Sequence, residues 1–84
     1  MGRNAADKDV IDRFLEIRAE LVGFDKKYRF DKEFLETIGL LPQHINPILN
    51  YSVGLTIKQC QLMGTVHNVS LDWLIAGLGN KYLS

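Results

Sequence analysis

The sequence predicts an all-α fold, a compact bundle of about five short helices. Apolar residues recur at helical spacing in several stretches, and capping residues or glycines stand at the ends of those stretches. No stretch of useful length alternates apolar and polar residues with the period of a strand. The chain has 84 residues, 46% hydrophobic and 24% charged, which suits one small globular domain.

The strongest helix is predicted over Asp7 to Val22, where charged residues separate the apolar ones. Its apolar positions are Val10, Ile11, Phe14, Leu15 and Leu21. Gly23 follows the last of these positions and suits a C-terminal cap. Residues 26–29, Lys-Lys-Tyr-Arg, then form a basic link to the next helix.

A second, short helix is predicted to begin at Asp31, a favoured N-cap residue, and to end at Gly39, which suits a tight turn. Phe30 and Leu35 have the spacing of a hydrophobic staple across its start. Its buried side is expected to hold Phe34, Leu35 and Ile38.

A third helix is predicted from Pro42 to about Asn50, because proline is favoured at the first helical position. Pro47 would remove a hydrogen bond to the Gln43 carbonyl within that helix and crowd it. The sequence therefore predicts a helix that is short, kinked or partly 3₁₀, followed by a loop around Gly54. Its apolar side is expected to hold Ile45, Ile48 and Leu49.

Residues 56–59, Thr-Ile-Lys-Gln, match a capping box and predict a fourth helix that runs to about His67. Its core face is expected to hold Ile57, Cys60, Met63 and Val66. Asn68 suits a turn, and Ser70 is the expected cap of a fifth helix that Gly77 and Gly79 end. The apolar residues of this fifth helix are Leu71, Trp73, Leu74 and Ile75.

The stretch 31–50 therefore has the pattern of a helix, a tight turn and a second helix. Gly39 stands in the turn and the apolar Leu40 follows it. Two helices that meet at a steep angle favour a glycine in the turn between them. Ile45 and Ile48 take the two apolar positions of the second helix.

Residues 68–77 form a second characteristic segment, Asn-Val-Ser-Leu-Asp-Trp-Leu-Ile-Ala-Gly, one helix further along the chain. Together the two segments resemble the lambda-repressor-like helix-turn-helix family, which includes Cro and the phage repressors. The resemblance implies that the helix at 42–50 enters the major groove of double-stranded DNA while the preceding helix crosses the backbone. It also implies a homodimeric transcription regulator of phage or mobile-element type.

Under this resemblance, the candidate base-contacting residues are Gln43, His44 and Asn46. Gln and Asn pair bidentately with adenine, and a neutral His donates or accepts a hydrogen bond. The alternative interpretation is that these three residues form the solvated face of a surface helix.

The candidate contacts to the DNA backbone are Lys26, Lys27, Arg29, Lys32, Asn50, Tyr51 and Ser52. Lys32 stands at the start of the first motif helix, where anions are favoured. Tyr51 and Ser52 follow the helix at 42–50, which the resemblance makes the recognition helix. Both carry hydroxyls that can donate to phosphate oxygens. The alternative is an ordinary solvated loop in each case.

Several features favour a different function, that of a protein-interaction module such as an antirepressor or adaptor. The formal net charge is zero, and no Lys or Arg occurs between Glu33 and Ile57. Pro47 lies within the recognition helix, and Leu35 stands where the family usually has a small residue. Acidic residues on or near the first motif helix are Asp31, Glu33 and Glu36.

The sequence predicts neither an enzyme nor a cofactor, metal, membrane or small-molecule site. The spacing of His44, Cys60 and His67 matches no set of metal ligands. The acidic stripe of the first helix, Asp12, Glu16 and Glu20, is expected to be a solvated face rather than a catalytic pair. Cys60, the only cysteine, is expected in the core and favours a reducing cytoplasm.

The chain is expected to comprise a flexible leader (1–6), the helix-turn-helix domain (7–79) and a C-terminal tail (80–84). Leu78, Tyr82 and Leu83 would then be free or would cover a partner, and a dimer contact is one hypothesis. Another possibility is that the chain is the N-terminal part of a longer repressor.

Overall fold

Five helices follow one another along residues 7–83, the part of the chain that this computed structural model describes. They are α1 (Lys8–Leu21), α2 (Asp31–Thr37), α3 (Ile45–Leu49), α4 (Ile57–His67) and α5 (Asp72–Ala76), and a 3₁₀ turn (Pro42–His44) precedes α3. The predicted all-α class is confirmed, since extended pairing in this range is limited to two isolated bridges. The leader predicted at 1–6 and Ser84 of the predicted tail lie outside the described residues.

Helix α1 begins and ends within one residue of the predicted bounds. Its N-cap is Asp7, whose carboxylate accepts hydrogen bonds from the backbone N–H groups of Asp9 and Val10 at 2.9 and 3.3 Å. The prediction of a cap at Gly23 is wrong, because this glycine does not take the left-handed conformation. Val22 is extended and forms a bridge with Tyr28, so the chain leaves α1 in a β-like conformation instead.

Helix α2 begins at Asp31 as predicted, but its N-cap is not the predicted residue. The N-cap is Phe30, whose backbone N–H donates to the Glu33 carboxylate at 3.1 Å. Asp31 does not cap the helix, because its carboxylate accepts two hydrogen bonds from Arg18 at 2.7 and 2.8 Å. The predicted hydrophobic staple is not formed as a buried contact, since the Phe30 side chain is 64% exposed.

Side chains from all five helices meet in one core. The rings of Phe14 in α1 and Phe34 in α2 lie 6.0 Å apart at its centre. The buried residues of the core are Ile11, Phe14, Ile17, Phe34, Leu35, Ile38, Leu40, Ile45, Ile48, Cys60, Met63, Val69 and Leu74.

The buried face of α4 was predicted only in part. Cys60 and Met63 are buried as expected, but Ile57 is 79% exposed and Val66 is 41% exposed. At 3.6 residues per turn, both side chains lie about a quarter turn from the centre of the buried stripe. His67 lies on that stripe and is buried in their place.

The predicted start and end of α4 and the predicted end of α5 at Gly77 are confirmed. Thr56 and Gln59 form the capping box, with hydrogen bonds of 2.8 and 3.1 Å between each side chain and the other's backbone N–H. Asn68 is left-handed at the end of α4, with φ 60°. The Ser70 hydroxyl lies 3.4 Å from the Trp73 backbone N–H at the start of α5, a wide π-type turn that ends at Gly77 with φ 73°.

The tail folds back on its own chain. The backbone N–H of Ser70 donates to the Lys81 carbonyl at 2.8 Å. The Lys81 ammonium pairs with the carboxylates of Glu16 and Glu20, and the Tyr82 hydroxyl donates to Glu20 at 2.7 Å. The acidic stripe of α1 is exposed, as expected, and two of its carboxylates are also paired with the tail.

Candidate nucleic-acid interface

The turn between α2 and the 3₁₀ turn is closed by backbone hydrogen bonds. The Leu40 N–H donates to the Leu35 carbonyl at 2.9 Å, and the Gly39 N–H donates to the Glu36 carbonyl at 3.2 Å. Gly39 has φ 77°, a conformation that favours glycine, as the sequence predicts. Leu35 and Leu40 are both buried, so the turn is anchored in the core.

Pro47 does not break the segment that follows. The backbone changes from 3₁₀ to α-helix between His44 and Ile45, so Pro47 is the third residue of α3. In the first turn of a helix a backbone N–H has no intrahelical partner, and a proline therefore costs no hydrogen bond there. The helix continues past it, with the Asn50 N–H donating to the Asn46 carbonyl at 3.0 Å. The prediction of a short, partly 3₁₀ helix is confirmed.

The loop after α3 turns at Tyr51 rather than at Gly54, around which the sequence predicted the loop. Tyr51 is left-handed with φ 59°, whereas Gly54 is not left-handed. The Ser52 N–H donates to the Pro47 carbonyl at 2.9 Å and closes the end of α3. The Tyr51 hydroxyl donates to the carboxylate of Asp12, which Lys8 also contacts at 3.0 Å.

These contacts shift the pKa values of Tyr51 and Asp12 in opposite directions. The bond to the Asp12 carboxylate raises the pKa of Tyr51. The Tyr51 hydroxyl and then the Lys8 ammonium lower the pKa of Asp12. Tyr51, a candidate backbone contact, therefore already has an acceptor on α1.

The three candidate base-contacting residues are exposed. Gln43, His44 and Asn46 lie on the surface, whereas Ile45 and Ile48 are buried and hold the segment to the core. The Leu41 N–H donates to Nδ1 of His44 at 3.1 Å, which leaves Nε2 of the neutral ring as the N–H donor. Leu49 does not join Ile45 and Ile48 in the core, since it is 37% exposed.

The basic candidate residues differ in whether their charged groups already contact other groups of the protein. The Lys26 ammonium donates to the Ala19 carbonyl in the last turn of α1, where the helix dipole favours a cation. The Lys27 ammonium lies 5.6 Å from the centroid of the Tyr28 ring. Arg29 lies between two aromatic rings, while Lys32 is exposed. Asn50 and Ser52 are exposed as well.

Two of the three acidic residues near the motif are partnered. Asp31 is held by Arg18, and Glu33 accepts from the Phe30 backbone N–H. Glu36 is exposed. Arg18 balances the negative charge of Asp31 next to Lys32, so this charge repels an approaching anion less.

A buried histidine that the sequence did not predict links α2 to α4. Nε2 of His67 lies 2.7 Å from the Thr37 hydroxyl, which itself donates to the Phe34 carbonyl at 2.6 Å. Thr37 therefore accepts from His67, and the ring is the Nε2–H tautomer. Its Nδ1 is buried without a partner. The pKa of His67 is lowered, mainly by burial and to a lesser extent by the positive charge of Lys27.

Other site classes find little support in residues 7–83. This range holds no group of three or more His, Cys, Asp or Glu side chains placed to bind a metal ion. None of its helices is both long enough and apolar enough to cross a membrane. Cys60 is buried, and burial raises the pKa of its thiol.

Comparison with known proteins gives no relative of this chain. No family model matches it, and neither does any of the curated proteins or solved structures with which it was compared. The family resemblance therefore depends on the two sequence segments, and the helical architecture agrees with it at the level of fold class.

Proposed function

We propose that this protein is a sequence-specific double-stranded DNA-binding transcription regulator that reads the major groove with residues 42–50. The observation that carries the proposal is the exposure of Gln43, His44 and Asn46 on a segment anchored by the buried Ile45 and Ile48. These side chains offer hydrogen-bond donors and acceptors to base edges.

Residues 42–50, the recognition segment, carry no Lys or Arg. Affinity for the DNA backbone would therefore come from residues outside this segment. The available cations are Lys27, Arg29 and Lys32, since the Lys26 ammonium is engaged by the Ala19 carbonyl. Three phosphate contacts on duplex DNA imply a slope of about −2.7 for log K against log salt concentration. The affinity would then fall about 40-fold between roughly 50 and 200 mM salt.

Fluorescence anisotropy of a labelled random duplex over this salt range tests the proposal. Binding is expected to weaken with that slope, and Lys32→Gln is expected to make the slope shallower by about 0.9. Absence of duplex binding at the lowest salt concentration would contradict the proposed function.

Base reading needs a separate measurement on a selected site. Gln43→Ala and Asn46→Ala are each expected to relax sequence preference at the base they contact, by about 1–3 kcal/mol. Gln61→Ala is the matched control, because Gln61 is an exposed glutamine on α4, outside the recognition segment. If the preference is unchanged in both test variants, the assignment of the reading residues is wrong.

A second candidate is a protein-interaction module with the same architecture. It is favoured by exposed apolar side chains around the recognition segment, namely Leu41 at 50%, Leu49 at 37% and Val53 at 47%. Such side chains suit an apolar protein surface better than a phosphate backbone. The duplex titration separates the two candidates, because this one predicts no salt-dependent duplex binding.

A homodimer on paired half-sites belongs to the leading proposal. Sedimentation equilibrium at concentrations well above micromolar tests it directly. A monomer mass at those concentrations would contradict the homodimer. DNA binding would still be tested separately, by the duplex titration.

A further inference from the structure

The connection between α1 and α2 is a closed loop, residues 22–30, which we call the aromatic–basic loop. At its neck the Tyr28 N–H donates to the Leu21 carbonyl at 2.8 Å, and the Gly23 N–H donates to the Tyr28 carbonyl at 2.9 Å. The Tyr28 ring packs 6.1 Å from Phe34 and 5.8 Å from His67, centroid to centroid. The loop is therefore anchored to the core.

The loop holds two phenylalanines in solvent. Phe24 is 75% exposed and Phe30 is 64% exposed, although phenylalanine is among the residues most often buried. The Arg29 guanidinium lies 4.6 Å from the Phe24 centroid and 5.7 Å from the Phe30 centroid. Cation–π contacts of this kind join the three side chains into one exposed cluster.

The loop carries an excess of positive charge, which favours an anionic partner. Lys26, Lys27 and Arg29 stand against a single carboxylate, Asp25. Immediately after the loop, Asp31 is neutralised by Arg18 and Lys32 is exposed. Exposed aromatic rings within a positive surface match a ligand that combines phosphates with flat apolar groups.

We propose that the aromatic–basic loop binds single-stranded nucleic acid, with unpaired bases stacked on the rings of Phe24 and Phe30 and phosphates held by Lys27. Base stacking on aromatic rings together with a positive surface is the general basis of single-strand binding. Bases inside a duplex are stacked on each other and do not offer their faces to such a cluster. This activity does not use the proposed base-reading residues at 42–50, but it shares Lys27 with the proposed contacts to the duplex backbone.

Fluorescence anisotropy with a labelled oligothymidylate of about 12 nucleotides tests the inference, beside an abasic strand of the same length. The abasic strand keeps the phosphates and lacks the bases, so the wild-type protein is expected to bind it about tenfold or more weakly. The double variant Phe24→Ala/Phe30→Ala is expected to bind the oligothymidylate as weakly as the wild type binds the abasic strand.

Leu78→Ala is the matched control, because Leu78 is also 64% exposed and lies after α5, outside the loop. It is expected to bind both strands like the wild type. Circular dichroism of each variant establishes that it is folded, and the comparison of the two strands needs no variant at all.

Three results would overturn the inference. They are equal affinity for the thymidylate and abasic strands, unchanged affinity in the double variant, and no binding of either strand at about 50 mM salt. Capture of the protein by vesicles of anionic phospholipid without oligothymidylate binding would assign the loop to membranes instead. A duplex titration of the double variant separates failure here from failure of the proposed function.

Discussion

Gly77→Ala tests the contact between the Arg13 guanidinium of α1 and the C-terminal end of α5. Gly77 has φ 73°, where an alanine costs about 1–2 kcal/mol relative to glycine. A Cβ at this position would lie 3.1 Å from Nη1 of Arg13. That guanidinium donates to the carbonyls of Leu74 and Ile75 at 2.9 and 3.0 Å, so it cannot move away without weakening these bonds.

The expected loss is the sum of the two effects. Weakening a hydrogen bond from a charged donor adds about 1–2 kcal/mol to the conformational cost, which gives about 2–4 kcal/mol in the free energy of unfolding. Gly39→Ala is the matched control, because Gly39 has φ 77° and nothing lies within 4 Å of an added Cβ. It is expected to lose only the conformational part, about 1–2 kcal/mol.

Urea denaturation followed by circular dichroism measures both variants. In an Arg13→Met background, the extra cost of Gly77→Ala over Gly39→Ala is expected to disappear, because no guanidinium remains to be displaced. Equal losses in the two glycine variants of the otherwise wild-type protein would refute the reasoning from the Arg13 contact.

Three further outcomes are expected. The stability of the wild type should fall as the pH drops below 6.5, the ordinary histidine pKa, because the pKa of buried His67 is lowered and the unfolded chain binds the proton first. In His67→Gln, urea midpoints at about pH 7.5 and 5 should lose this part of the pH dependence; an unchanged dependence would contradict the assignment. Arg18→Met removes the bidentate bond to Asp31 and should cost about 1–2 kcal/mol in urea denaturation, whereas Arg18→Lys should retain part of it; equal losses would argue against the paired geometry. Burial and the bond to Glu20 raise the pKa of Tyr82 to about 12, so an ultraviolet titration of Tyr82→Phe should lack the tyrosine step at that pH, and its persistence would assign the step elsewhere.

The sequence was most informative where a local pattern decides the backbone. The Thr56–Gln59 capping box, the left-handed Gly39 and the end of α5 at Gly77 were all predicted and are all present. Each depends on interactions within a few residues. Pro42 and Pro47 similarly predicted a short, partly 3₁₀ segment, because proline restricts its own backbone and removes a donor whatever surrounds it.

The sequence was less informative where a distant partner competes for a side chain. Asp31 has the chemistry of an N-cap, but Arg18 lies thirteen residues earlier and takes both of its oxygens. Gly23 has the freedom of a helix cap, but the bridge between Val22 and Tyr28 draws the chain into an extended path. Neither competitor is visible in a local pattern.

The candidate DNA-reading residues came entirely from the sequence, and the structure adds that Gln43, His44 and Asn46 are exposed. Only the tertiary structure decided that the tail lies on α1, that His67 is buried against Thr37, and that Phe24 and Phe30 remain in solvent. The physical reason is the range of the interactions. Helix propensity, capping and turn conformation act between near neighbours, whereas burial and ion pairing depend on which elements meet after the chain has folded.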